Sequence, residues 1–324
     1  MSETEDPAAT IMRLLRTQMR VVLDNGGLAS VEVSGEYQNS DAFKVSDGQV
    51  TVALAENVDS KLDLSGKIRR RTSTLRVNIW ATETLSQTET ATTIRKKIAD
   101  EINRIIRQNC RTPNQTTYNY VGLSPNTQTS KAYSGNIEAA PTANGWTELS
   151  VGDYQNLWYS DDSRCQVSRS GSGERAVLLF GFKLESRRNT VKQAVFAFEG
   201  FASAATQNGV TVKAWNNVAG AWQNTQNNAA SESDAQLTLS LTANLADYID
   251  EEGFLWFLAE TNGASDGVTP AVLTCDSASC VVSVKGITYC DVAGSRNLDR
   301  ADLKPPVYRT ELTVKSWYIE KIGE

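Results

Sequence analysis

The 324-residue chain contains no histidine. That removes the commonest general base, the commonest metal ligand and the usual partner of a nucleophilic Ser or Cys. Carboxylates, lysines, five cysteines and seven tryptophans remain for chemistry. The densest acidic cluster is Asp247, Asp250, Glu251 and Glu252 in DYIDEEG. It has the oxygens for calcium but not the spaced carboxylates and central glycine of an EF-hand loop, so it reads as a solvated turn. Asp161-Asp162 reads the same way. Carboxylate pairs can hydrolyse glycosides, but only at a separation in space that a sequence does not display. GSGE at residues 171–174 has no Lys-Ser/Thr and no helix after it, so it is not a phosphate loop.

The cysteines, Cys110, Cys165, Cys275, Cys280 and Cys290, are odd in number and irregular in spacing, unlike a disulfide framework. With no Cys-x-x-Cys pair and no His they do not suit zinc. Cys275 and Cys280 flank Asp276-Ser277-Ala278-Ser279, a candidate hairpin turn. That leaves a cross-hairpin disulfide open, while synthesis in a cytosol favours two small buried thiols. No catalytic residue, metal or cofactor is expected, and the chain reads as non-enzymatic.

Two groups of residues suit binding. Trp215 and Trp222 bracket a loop, Asn216 to Gly220, and exposed indoles stack on sugar rings, whereas buried ones only pack. Trp256, inside the apolar run FLWFLA, reads as core. Lys67, Arg69, Arg70 and Arg71 close residues 57–71, a stretch of little periodicity read as a long loop or an extended hairpin arm. The cations are either a solvated run or an arm that meets phosphates.

The elements that must hold these residues follow from the pattern. Asp6-Pro7 opens a helix, Asp as cap and Pro in the first turn. Ile11, Leu15, Met19 and Val22 form its apolar stripe, with Arg13, Arg16 and Arg20 on the other side, and Asn25-Gly26-Gly27 stops it. Ala29 to Glu36 alternates as a strand. Asp47-Gly48 reads as a turn, and Val50, Val52 and Leu54 mark a second strand. Leu75, Val77 and Ile79 mark a third. Thr88-Glu89-Thr90 caps a second helix with the stripe Ile94, Ile98, Ile102, Ile105 and Ile106, and Pro113 ends it. Its other faces carry Arg95, Lys96, Lys97, Arg104 and Arg107, read as a solvent face or a contact for an acidic neighbour.

Residues 114–145 turn to Thr, Asn, Ser, Gly and Pro and read as a linker. Beyond Trp146 the pattern is all β: Val177–Leu184, Ala194–Glu199, Val210–Trp215, Leu237–Leu241, Phe254–Ala259, Ala271–Cys275 and Val281–Tyr289. Short strands at such spacing indicate a two-sheet sandwich or jelly roll. After Pro305-Pro306, Tyr308 to Glu320 forms a long closing strand, whose backbone groups need a partner. The nearest partner is the sheet of the three N-terminal strands.

The expected fold is therefore α+β: a small antiparallel sheet with two helices, residues 1–117 plus 306–324, carrying an inserted all-β sandwich, residues 118–305. Residues 118–305 hold 13 Lys and Arg against 20 Asp and Glu, net −7, while 1–117 hold 16 against 15. That balance does not suit a general nucleic-acid binder. No run approaches the roughly 18 apolar residues of a membrane span, and the acidic start, Met1 to Pro7, is unlike a secretory signal.

The segments SVEVSGEY, STLRVNIWATET with the helix ATTIRKKIADEINRII, and the closing RTELTVKSWYIEK resemble the tail-terminator (tail-completion) proteins of long-tailed viruses. The resemblance covers roughly 1–112 and 307–324; family members lack the inserted sandwich. It implies a structural virion protein at the head–tail junction, assembled in the host cytoplasm. It would be a homohexameric ring between the tail tube protein and a neck or connector protein, with Lys67 and Arg69–Arg71 facing a passage for genomic DNA. More loosely, GVTVKAWNNVAGAW and FLWFLAETNG resemble jelly-roll carbohydrate-binding or decoration modules. The alternative is thus a glycan-binding tail-tip or fibre protein, with Trp215 and Trp222 as the platform.

Overall fold

A computed structural model describes residues 3–35, 46–82, 89–300, 302 and 306–321. Glu36, Thr88 and Pro305, used above to bound elements, lie outside them. The chain divides into two units, Thr117–Val284 and a second made of Glu3–Thr116 with Lys285–Glu324. It is mostly β.

The discontinuous unit starts with α1 (Pro7–Gln18) and continues through β1 (Val31–Ser34), β2 (Gly48–Lys61), β3 (Ile68–Thr82) and α2 (Ala91–Gln108). Asp6 accepts from the Ala8 and Ala9 amides at 2.8 and 3.3 Å, the cap its position predicts. α1 ends at Gln18, earlier than the glycines at 26–27, and Val22 is exposed. Arg13 is not on a solvent face. It is buried and donates to Glu5 at 3.0 Å, to the Pro113 carbonyl at 3.0 Å, and to Thr116. Thr90 caps α2, whose five isoleucines are buried against the sheet.

The intervening chain forms β4 (Gln115–Tyr118), β5 (Lys131–Gly135), β6 (Thr147–Glu148), α3 (Val151–Asn156), β7 (Cys165–Arg169), β8 (Val177–Lys183) and β9 (Val191–Ser203). It continues as β10 (Val210–Asn216), β11 (Ala221–Asn227), β12 (Ala235–Leu241), β13 (Phe254–Thr261) and β14 (Ala271–Val284). β15 (Tyr289–Asn297) and β16 (Val307–Lys321) then complete the first sheet, whose order is β1-β2-β3-β16-β15.

Four expectations change here. The sheet is not wholly antiparallel, because β1 runs parallel to β2. Asp47-Gly48 is no hairpin turn: Asp47 accepts from the Ser30 amide at 2.8 Å, and Gly48 begins β2 where a β-carbon would sit 2.6 Å from Ile98 Cδ1. The return to the α/β unit falls at Lys285, not after 305. β15 pairs with β16 from Tyr289↔Trp317 to Asn297↔Thr310, and as a polar edge strand it shows no apolar alternation. The linker of 114–145 contains β4 and β5, both ladder strands of the sandwich.

The sandwich faces a sheet of order β11-β10-β13-β8-β5-β6 against one of order β12-β9-β14-β4, with β7 also on β14. Phe180, Phe182, Phe196, Phe198 and Phe257 fill the space between, and Phe196 stacks on Phe257 at 4.5 Å. β14 runs unbroken through Asp276–Ser279. The predicted turn is a β-bulge, in which Cys275 pairs Gly200, Ser277 pairs Glu199, and Asp276 is the extra residue. Cys275 and Cys280 therefore lie along one strand and are not joined.

Candidate functional site: the outer face of the six-stranded sheet

In β8 and β13 the alternation sends Leu178, Phe180, Leu255 and Phe257 into the core. The opposite face presents Val177, Leu179 and Gly181 on β8, and Phe254, Trp256 and Leu258 on β13. Both faces of these strands carry large apolar side chains, which is why FLWFLA gives no polar alternation. Leu179 and Leu258 are fully buried although they belong to neither core cluster. Residues 136–146 are tied to this face. The Trp222 indole N–H donates to the Ala139 carbonyl at 3.0 Å, Glu138 pairs with Lys213, and Trp146 lies over Gly135.

Trp256 is half-buried on this face, not core. Its ring lies over Gly181, where a β-carbon would come within 2.8 Å of Cε3. Its indole N–H donates to Asp250 Oδ2 at 2.8 Å, and Asp250 Oδ1 accepts from the Phe254 amide at 2.7 Å. The acidic YIDEEG turn thus braces an aromatic ring. Among the described residues no trio of acids or cysteines is arranged to hold a metal. Phe254 stacks on Trp256 at 5.2 Å, and the half-buried Tyr133 ring stands 6.4 Å away on the other side. Burial, with Glu148 adding to it, pushes the Tyr133 hydroxyl above its ordinary pKa, so it stays a neutral donor. The Lys131 and Lys183 ammonium groups lie 5.5 and 5.8 Å from the Phe254 centroid.

Trp215 and Trp222 are direct cross-strand partners on the β10–β11 hairpin, both half-buried, in edge-to-face contact at 5.2 Å. Ala214 pairs with Phe257, so Trp215 continues the same cross-strand row toward Trp256. Half-buried indole and phenol rings with ammonium and hydroxyl donors at their rim can stack on pyranose rings and hydrogen-bond their hydroxyls. Trp215 and Trp222 are visible in the sequence as a bracketed loop. Trp256 and Tyr133 are not, because only the register shows which face they take.

The arginine arm is a hairpin. β2 and β3 pair from Lys61↔Arg69 inward, and β16 pairs β3 as far out as Lys321↔Ile68. Alternation splits the three arginines between the two faces. Arg70 lies over Trp317 at 4.6 Å, and Trp317 stacks on Tyr289 at 5.5 Å. Arg71 pairs with Asp59 at 2.9 Å and Glu320 at 3.1 Å and donates to the Tyr318 hydroxyl at 3.0 Å. Those anions hold its proton more tightly than usual. Arg69 donates to the Gly66 carbonyl at 3.2 Å, and Lys67 is exposed in the turn. The four residues therefore do not form one cationic surface. On α2, Arg95 pairs with Asp299, Lys97 with Asp24 and Glu89, and Arg104 with Glu101, so much of that basic face is internally neutralised.

A cleft of about 360 Å³ in the sandwich gathers Asp161, Asp162, Glu199, Glu232, Asp234 and Asp276 around Arg164. Arg164 is taken up by Asp234 and Asp162, both at 2.6 Å. Asp276, 2% exposed, has its carboxyl pushed up by burial and by Asp234 and Glu199. Sequence spacing could not show this cleft, since its acids come from four separate segments.

A family model described as "Uncharacterized protein, C-terminal domain" matches residues 127–284, within the sandwich unit. No curated protein matches the chain. Among solved structures the chain is similar to a CBM4 structure at 13% identity, covering 47% of this chain and 94% of that one, with a TM-score of 0.28. It is also similar to the enzymatically active domain of bacteriophage CBA120 tailspike protein 4, at 8% identity, 53% and 19% coverage and a TM-score of 0.24. A variant of the carbohydrate-binding module CBM29-2 complexed with cellulohexaose matches at 11% identity, 48% and 93% coverage and a TM-score of 0.20.

Proposed function

We propose that the sandwich is a non-catalytic carbohydrate-binding module, carried by an α/β unit that serves attachment. The observation that supports this is the Trp256 ring, laid over Gly181, braced by Asp250 and left half-buried beside Tyr133. Seating the ring on Gly181 and holding its N–H at Asp250 fixes a stacking surface in advance, which lowers the ordering cost of binding. Affinity electrophoresis and a glycan array with the wild type and with Trp256→Ala and Trp256→Phe test it. Retention by at least one polysaccharide, lost in the Ala variant and partly kept in the Phe variant, is expected. Absence of retention on every glycan sinks the reading.

A second reading concerns the α/β unit and rests on its element order: helix, three strands, helix and a closing strand, with a long β2–β3 hairpin. It is a tail-terminator-like ring in a virion, six copies closing by heterologous contacts between the tail tube and the neck. Arg70, with no ion pair among the described residues, is then the cation offered to passing phosphates. Electron microscopy and mass photometry decide it. Six-fold rings with a central hole support it, while a strict monomer that ignores tail tubes overturns it.

A further inference from the structure

Four of the five cysteines stand in two pairs. In the sandwich, Cys165 of β7 and Cys275 of β14 are direct partners in an antiparallel ladder. Both are fully buried in the same core, so both side chains point to one face. Antiparallel partners have Cα atoms about 4.5–5.5 Å apart, inside the roughly 4.4–6.8 Å that a disulfide spans. In the α/β unit the Cys290 amide donates to the Cys110 carbonyl at 3.0 Å, a bond that brings the turn after α2 against β15, and the Cys110 sulfur is close enough to act on the Cys290 thiol. Cys280 faces Phe196 across the ladder and is set apart from both pairs.

We propose that Cys165–Cys275 and Cys110–Cys290 are two disulfide sites, one in each unit, and that Cys280 stays a thiol. The reaction is exchange with a small-molecule disulfide. One cysteine thiolate attacks an oxidant sulfur and releases a thiol, and the second thiolate displaces the remaining half. Two protein thiols thus give up two electrons and two protons, and the oxidant leaves as two thiols.

Burial raises the Cys165 and Cys290 thiols, each to about 12, with Asp153 adding to the first and Cys110 and Asp291 to the second. One partner in each pair is therefore almost wholly thiol in the folded chain at neutral pH, so closure belongs to folding or refolding, when the strands are still open to the oxidant. Each bond would tie distant parts of the sequence: β7 to β14 in one unit, the end of α2 to β15 in the other.

The test is refolding of the full chain in a buffer of oxidised and reduced glutathione, quenching with iodoacetamide in denaturant, and peptide mapping without reductant. One alkylated cysteine, Cys280, is expected, with peptides joined Cys165 to Cys275 and Cys110 to Cys290. The oxidised chain should melt higher than the reduced one by about 10 °C. That shift should shrink in C165S/C275S and in C110S/C290S. Cys280→Ser, refolded in parallel, should leave both links in place and so excludes scrambling. Five alkylated cysteines, or Cys280 recovered in a link, overturn the proposal. Recovery of one predicted link keeps that pair and overturns the other.

Discussion

The Trp256 indole rests on Gly181, where any β-carbon would overlap the ring. Gly181→Ala should therefore push the ring off its seat. Because Trp256 is only half-buried, it can swing outward, so the stability cost should be only about 1 kcal/mol. Carbohydrate retention should fall about tenfold, as expected when one well-placed stacking ring is displaced. Affinity electrophoresis beside a thermal melt reads both. Unfolding without a specific binding loss would mean that the glycine serves packing alone.

Glu5 and Arg13 form a buried pair, their side chains 4% and 1% exposed. Glu5→Ala strands a guanidinium in the interior and should cost about 3–5 kcal/mol in urea denaturation. Replacing both, as Glu5→Leu with Arg13→Met, should recover most of that loss. A double variant no better than Glu5→Ala would show that the bonds from Arg13 to Pro113 and Thr116 matter more than the charge pair.

Asp276 has a carboxyl pushed up by burial, then by Asp234 and Glu199. Its folded pKa lies above the unfolded one, so the folded state holds the proton more tightly. The group favours folding at low pH, and that contribution is lost as pH rises through the folded value. Asp276→Asn should then raise stability at pH 7, with the gain shrinking toward pH 4. Thermal melts across this range check the sign. A gain that grows on acidification would contradict it.

Arg70 and Arg71, adjacent in sequence, should behave differently. Arg71→Ala loses partly exposed pairs to Asp59 and Glu320, worth about 1 kcal/mol of stability. Its effect on retention by duplex DNA should be small. Arg70→Ala loses its contact with the Trp317 ring, worth about 0.5–1 kcal/mol of stability, and should lower the slope of log affinity against log salt by about one for each phosphate it no longer neutralises. Equal effects from the two variants would mean that the ion pairs of Arg71 do not withhold it from phosphates.

What the sequence discloses and what it hides have physical reasons. The helices are legible because caps and stripes are local: Asp6 and Thr90 mark the starts, and five isoleucines mark one face of α2. β15 is hidden because an exposed edge strand, YCDVAGSRN, needs no apolar alternation. The bulge at Asp276 imitates a turn because Asp-Ser-Ala-Ser suits both, and only the opposing Gly200 and Glu199 decide. Arg13 looks solvent-facing until Glu5, eight residues away, neutralises it. Of the aromatic face, Trp215 and Trp222 show in the sequence. Trp256 is masked because β13 is apolar on both sides, and Tyr133 because it lies in a stretch whose composition resembles a linker.

The points where the chain leaves the α/β unit and comes back to it are held by the same few groups. Arg13 binds Thr116 and Glu5, the Glu5 amide donates to the Lys285 carbonyl at 2.6 Å, and Cys290 bonds back to Cys110. The two ends of the α/β unit that flank the insertion are therefore clasped to each other within that unit, as a closed socket. A short linker between Thr116 and Lys285 should leave the socket intact. The inserted segment can then be changed without redesigning the unit that carries it.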